Sequence, residues 1–265
     1  DQMIVRAMAT LEKAGQLDNT IVVITSDHGM PFPRAKASLY DAGAHVPLAI
    51  RWPNGIVKAG RVFEGLINLS DIAPTFLQAA DVKVPTMMTA NSLMSVLKNK
   101  ATTKRDSAYI AMERHDGCRK GGKGYPSRAI RTQDYLYIRN LEPTRWPAGN
   151  PDREFCARYI PFGEVDTSPT KTLLMDNANK AGFKRFYDLA FSKRPAEELY
   201  HVTEDPGQLV NLSENPKYAA IQKKLASQLQ EHLVRTKDPR ALGLDAPWDH
   251  YPYYGLRRNK NWQVD

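Results

Sequence analysis

Cysteine is almost missing from this sequence: Cys118 and Cys156 are the only two in 265 residues. Two thiols cannot build a disulfide framework, their spacing fits no metal motif, and they leave open one bridge or none. No apolar run approaches the roughly 18 residues that a membrane-spanning helix needs, so no transmembrane segment is expected. No secretory leader pattern is visible either. Zinc-finger spacing, an RNA-recognition motif and long basic runs are all lacking, which argues against nucleic acid as the partner. The surplus of positive charge, formally +8, therefore reads either as a general attraction for polyanions or as an unspecific basic surface.

Hydrophobic residues at 42% and charged residues at 25% describe an ordinary globular chain, long enough for one large or two smaller domains with proper cores. The most informative stretch is 19–47, NTIVVITSDHGMPFPRAKASLYDAGAHVP. Its β-branched run at 20–25 predicts a buried strand, which breaks abruptly into Ser26, Asp27, His28 and Gly29. In open α/β sheets ligands sit at the carboxyl ends of strands, so Asp27 and His28 become site candidates; the alternative is a plain turn built from common turn residues. A short loop with Arg34 and Lys36 follows, then Leu39-Tyr40-Asp41-Ala42-Gly43, then a second apolar run at 46–52 closed by the turn Pro53-Asn54-Gly55.

This ordered series, T-S-D-H-G, basic loop, L-Y-x-x-G and a strand opening on Val-Pro, resembles the sulfatase family. The Pro-Phe-Pro loop is most similar to the heparan N-sulfatase, or N-sulfoglucosamine sulfohydrolase, branch. The resemblance continues through NLSDIAPTFL at 68–77, KRPAEELY at 193–200, Asp205-Pro206 and Asn211-Leu212. It implies an α/β fold: residues 1–100 form the distal part of an alkaline-phosphatase-like domain, and 101–265 a smaller α+β C-terminal domain. In that smaller domain a long C-terminal helix would pack on an antiparallel sheet.

Local patterns fill in the elements. Ile4, Ala7, Met8 and Leu11 repeat at helical spacing up to Gly15, so the chain opens on a helix that leads into what reads as an interior strand. Such an opening predicts that earlier strands of the sheet belong to a preceding segment. Ser70 or Asp71 is expected to cap a helix with Pro74 in its first turn, and a short helix is expected near 92–98. The polar stretch 100–106 marks a boundary. Beyond it, 108–112 reads as a strand, and 128–132 with 135–139 as a hairpin across Gln133-Asp134. The glycine-rich loop 118–124, with Arg119, Lys120 and Lys123, either clamps an anion or is simply solvated, the second reading being the stronger. Residues 140–171 predict an irregular excursion and 183–191 a helix. Tyr218, Ile221, Leu225, Leu229 and Leu233 form an apolar stripe on a helix started at Asn215-Pro216. The aromatic tail at 248–262 lines a sugar-binding rim or, more in keeping with its lack of periodicity, packs on the surface.

The resemblance assigns roles. Asp27 and His28 are expected to bind a divalent metal, calcium first, with Asp27 the better oxygen donor and imidazole better suited to a softer ion. A hydrogen bond from His28 to sulfate oxygen is the alternative. Lys36 matches the family's sulfate-contacting base, which neutralises charge on the departing sulfate oxygens; Arg34 is its nearest substitute. His115 beside Asp116 matches a His-acid pair facing the substrate, suited to holding a sugar or moving a proton. His45 is read as structural.

The family's formylglycine, made from Cys or Ser in C/S-x-P-x-R, has no counterpart here, and there is no Asp-Asp pair for its remaining metal ligands. The expectation is thus a sulfatase fragment, inactive alone, with the nucleophile segment as its missing partner and a sulfated carbohydrate as substrate. N-sulfoglucosamine comes first and an O-sulfated hexosamine second. A non-catalytic remnant that binds sulfated carbohydrate is the reading from another class, and phosphodiester or phosphonate hydrolysis a weaker one. A periplasmic or extracellular location follows from the substrate class.

Overall fold

The computed structural model describes residues 1–100, 105–255, 258, 259 and 262. In chain order its elements are α1 (Gln2–Lys13), β1 (Val22–Thr25), α2 (Asp41–Ala44), β2 (Leu48–Arg51), α3 (Ile72–Ala79), α4 (Met94–Leu97), β3 (Ser107–Met112), β4 (Ser127–Thr132), β5 (Tyr135–Asn140), α5 (Pro169–Asp176), α6 (Lys184–Phe191), β6 (Glu197–His201) and α7 (Ala219–Arg235). They fall into two compact units, Asp1–Asp27 with Pro47–Asp106, and His28–Val46 with Ser107–Asp265. Of the polar boundary expected at 100–106, residues 101–104 lie outside the described residues.

In the first unit α1 ends where predicted, with Gly15 at φ +65°, a conformation in which a β-carbon is costly. β1 pairs antiparallel with β2, Val22 opposite Arg51 and Thr25 opposite Leu48. The expected burial of this strand is not found: its residues are half-buried or exposed, and Ile24 is 39% exposed. A strand with one hydrogen-bonded neighbour keeps an open edge, and β2 is the one partner among the described residues. The start of α3 is organised by Asp71 rather than Ser70. Its carboxylate accepts the backbone N–H of Asn68 and of Asn91, both at 3.0 Å, and the Arg105 guanidinium at 2.6 Å.

The second unit is a four-stranded antiparallel meander, β3-β4-β5-β6, in sequence order. The predicted hairpin is present, with Arg131 opposite Leu136 across the 133–134 turn. On one face Ala129, Leu136, Ile138 and Tyr200 pack with Leu39 and Tyr40. On the other, Ile130, Tyr137 and Leu199 receive Leu225, Leu229 and Leu233 of α7, the stripe read from the sequence. Residues 28–46 thus belong with this sheet, although the sequence grouped them with 1–100. Leu39 and Tyr40 are buried in its core, the Tyr40 hydroxyl donates to Glu198 at 2.7 Å, and Arg131 pairs with Asp41 at 3.0 Å. A third cluster, Ala148, Phe162, Val165, Ala190 and Phe191, gives the 140–171 excursion a core of its own with α6. α5 begins at the end of this excursion and has no counterpart among the expected elements, yet its start carries recognisable signals: Ser168 accepts the Lys171 N–H at 3.2 Å and Pro169 opens the helix.

Candidate functional site

The loop from 28 to 46 is shaped by two glycines. Gly29 donates its N–H to the Gly43 carbonyl at 2.9 Å, and a β-carbon on Gly29 would lie 1.8 Å from the Ala42 carbonyl oxygen. One on Gly43 would lie 2.1 Å from the Ala35 carbonyl oxygen. Only glycine allows this closure, and it accounts for the G of T-S-D-H-G and of L-Y-x-x-G together. The closed loop presents Lys36, whose ammonium meets the Asp166 carboxylate at 2.8 Å.

His115, in the loop that follows β3, reaches the same cluster. Its Nδ1 lies 2.6 Å from Glu164, and the Lys36 charge acts on it. Glu164 is 2% exposed, and its other oxygen meets the buried Arg119 guanidinium at 2.7 Å. Arg119 also donates from Nε to the Trp146 carbonyl and from Nη2 to the Pro147 carbonyl, each at 2.7 Å. The hydrogen bond to Glu164 raises the His115 pKa above its ordinary value, against the opposing effect of burial. Burial disfavours charge on Glu164 itself, but Arg119 and the His115 bond hold its carboxyl below the usual range. The hydrogen bond from Lys36 does the same for Asp166. The two partners therefore agree: the His115 and Glu164 pair favours imidazolium and carboxylate.

The structure brings Lys36 and His115 into one cluster and separates several other candidates from it. Asp116 is not the partner of His115; it is buried and accepts from Arg158, from the Gly117 N–H at 2.7 Å and from the Tyr253 hydroxyl at 2.6 Å. Within the glycine-rich loop Arg119 is buried and paired with Glu164, while Lys120 beside it is exposed. Arg34, the alternative to Lys36, is engaged elsewhere: it lies 3.8 Å over the Tyr40 ring and donates to the Gln208 carbonyl. His45 is exposed at the end of α2. Of the aromatic tail, Trp262 is buried against Gly117 and Tyr253, whereas Tyr251 and Tyr254 are exposed. Glu164, Asp166 and Arg158 were not singled out in the sequence. The spacing of two acids across one valine in 163–166, GEVD, was the available signal.

Asp27 closes its segment of the first unit and His28 opens that of the second, with His28 Nδ1 2.7 Å from the Gly29 carbonyl oxygen. Among the described residues no three His, Cys, Asp or Glu side chains converge to hold a cation. Asp27 and His28 alone are too few donors for a hard divalent ion, which takes about six to eight oxygens when it is calcium. Beside the cluster, a cavity of about 50 Å³ lies between Lys36, Tyr125, Glu164 and Arg194. No helix among the described residues is long and apolar enough to cross a membrane.

Residues 1–82 match the sulfatase family model. An ulvan-active sulfatase of Formosa agariphila is 30% identical over 243 residues, 90% of this chain and 37% of that protein. The N-sulphoglucosamine sulphohydrolase of Homo sapiens is 27% identical over 251 residues, 90% of this chain and 46% of its own length. Among solved structures, a protein in complex with its substrate D-glucosamine-2-N,6-O-disulfate superposes with a TM-score of 0.61 at 27% identity, over 89% of this chain and 38% of that one. A 2-O glycosaminoglycan sulfatase superposes with a TM-score of 0.57 at 20% identity, over 97% of this chain and 44% of that one, and shows the fold alone. The fold is that of the alkaline-phosphatase-like sulfatases. Residues 1–82 thus carry the sulfatase family's pattern, and the chain is similar to the carboxyl-terminal part of these relatives, spanning less than half the length of each.

Proposed function

We propose that the whole protein hydrolyses sulfate from a sulfated sugar, N-sulfoglucosamine of a heparan-type polysaccharide first, and that the second unit supplies its sugar-facing side. The observation that carries this reading is the meeting of Lys36 and His115 over the acids Asp166 and Glu164. Lysine has three N–H donors, and Lys36 commits one to Asp166, leaving others for sulfate oxygens. With Nδ1 given to Glu164, His115 keeps Nε2 to donate to a sugar oxygen or leaving nitrogen.

The nucleophile segment is the proposed partner of the first unit, whose exposed Met3, Val5 and Phe76 supply apolar surface for it. The 265 residues contain no C/S-x-P-x-R, so this polypeptide alone is expected not to release sulfate. Formylglycine from that segment would supply the nucleophile, and calcium with Asp27 and His28 among its ligands would stabilise charge on sulfate. A periplasmic or extracellular setting goes with such a substrate.

A second reading, removal of a 6-O-sulfate, has its own support. An N-acetylglucosamine-6-O-sulfatase of Bacteroides thetaiotaomicron is 37% identical over 145 residues, 52% of this chain and 25% of that protein. Calorimetric titration of the purified chain with N-sulfoglucosamine, glucosamine-6-sulfate and glucosamine tests the choice. Binding of the N-sulfated sugar, lost in Lys36→Ala and His115→Ala and kept in the exposed-cation control Lys120→Ala, is the expected result. Preference for the 6-sulfate supports the second reading, and equal binding of unsulfated glucosamine overturns both.

A further inference from the structure

The two cysteines, far apart in sequence, lie together behind the Glu164 cluster. Both are fully buried, and both thiols are reduced in this structure. The place a β-carbon on Gly163 would occupy is 2.6 Å from the Cys118 β-carbon, 2.7 Å from the Cys156 sulfur and 3.6 Å from the Cys118 sulfur. The two side chains therefore converge on one spot that only a glycine leaves open. The backbone is tied beside them, since the Ala157 N–H donates to the Gly117 carbonyl at 2.6 Å, one residue from each cysteine.

We propose that Cys118 and Cys156 are an oxidation site that closes as an intrachain disulfide. Two cysteine side chains that converge, with their neighbouring backbone tied together, are placed to close a disulfide. Other uses of the pair fit poorly. Burial pushes the Cys118 thiol well up, away from the thiolate that a nucleophile or metal ligand needs. No further His, Cys, Asp or Glu completes a metal set among the described residues.

The reaction takes a small disulfide such as oxidised glutathione as acceptor. Cys118 and Cys156 each lose a thiol proton, one sulfur–sulfur bond forms between them, and the glutathione disulfide is broken to two molecules of reduced glutathione. Because both thiols are inaccessible in the folded chain, the exchange occurs during folding. The bond would join the segment carrying Arg119, which holds Glu164, to the segment carrying Arg158, which holds Asp116. This inference is independent of the proposed activity.

The test refolds the full chain with oxidised or with reduced glutathione, then alkylates it in denaturant and maps its peptides by mass. The oxidised sample is expected to give a linked 118–156 peptide pair with no alkylated cysteine, and to melt on the order of 5 °C above the reduced sample. In Cys118→Ser, Cys156 is expected to be alkylated and the dependence of melting on glutathione state to vanish. Two alkylated cysteines in the oxidised wild-type chain, or glutathione adducts without a linked pair, would overturn the proposal.

Discussion

Glu164 joins two demands that pull against each other. A carboxylate with 2% exposure is costly unless paired, and it is paired twice, with Arg119 and with His115. Removing it strands the Arg119 charge in the interior, so Glu164→Ala is expected to lower stability by about 3–5 kcal/mol, measured by urea unfolding. Glu164→Gln keeps the shape and deletes the charge. In that variant the His115 pKa, followed by NMR across pH, is expected to fall back toward the ordinary histidine value; an unmoved titration would show that another group sets it. The direction for binding follows from the raised value. His115 is cationic at low pH and loses its charge as pH rises through its elevated pKa, so affinity for a sulfated sugar is expected to decline over that interval in wild type. In Glu164→Gln the decline should begin at lower pH. Binding titrations at a series of pH values check both.

The elements differ in how much each owes to local sequence. α7 owes little to capping and much to its buried stripe, so Leu229→Ala, at a site 1% exposed, is expected to cost about 2–5 kcal/mol by thermal or urea unfolding. The stretch that carries Glu164 and Asp166 is held instead by Lys171 of α5, whose ammonium donates to the carbonyls of Phe162 at 2.9 Å and Val165 at 2.7 Å. Burial pushes that lysine down to about 8. Lys171→Met is expected to speed amide exchange at Glu164, whose N–H bonds to Ala148, more than at Leu136 in the sheet. The same contrast explains what could be read in advance. α1, α7 and the β4–β5 hairpin show periodicity or turn chemistry within a dozen or so residues, and these were legible. The burial of Arg119, the divergence of His115 and Asp116 to different partners, and the entry of Glu164 are set by contacts between segments far apart in the chain. The exposure of β1 likewise depends on which strands lie beside it, and a β-branched run does not disclose that.

At the scale of the whole molecule, the two units carry different parts of the account. The second is an antiparallel sheet closed by α7 and bears Lys36, His115 and their acids; the first bears Asp27 and a surface rich in exposed apolar side chains. Family motifs at 25–47 and 193–212 were readable because they are ordered strings of residues, whereas the electrostatic cluster is assembled from three separate stretches. The cluster of Lys36, His115 and their acids is proposed to recognise sulfate on a sugar. This is tested most directly by NMR of the His115 imidazole and the Lys36 ammonium during titration of the chain with N-sulfoglucosamine. Both signals are expected to move together, saturate with the same affinity, and not respond to glucosamine. Binding of the sulfated sugar with both signals unmoved would contradict it.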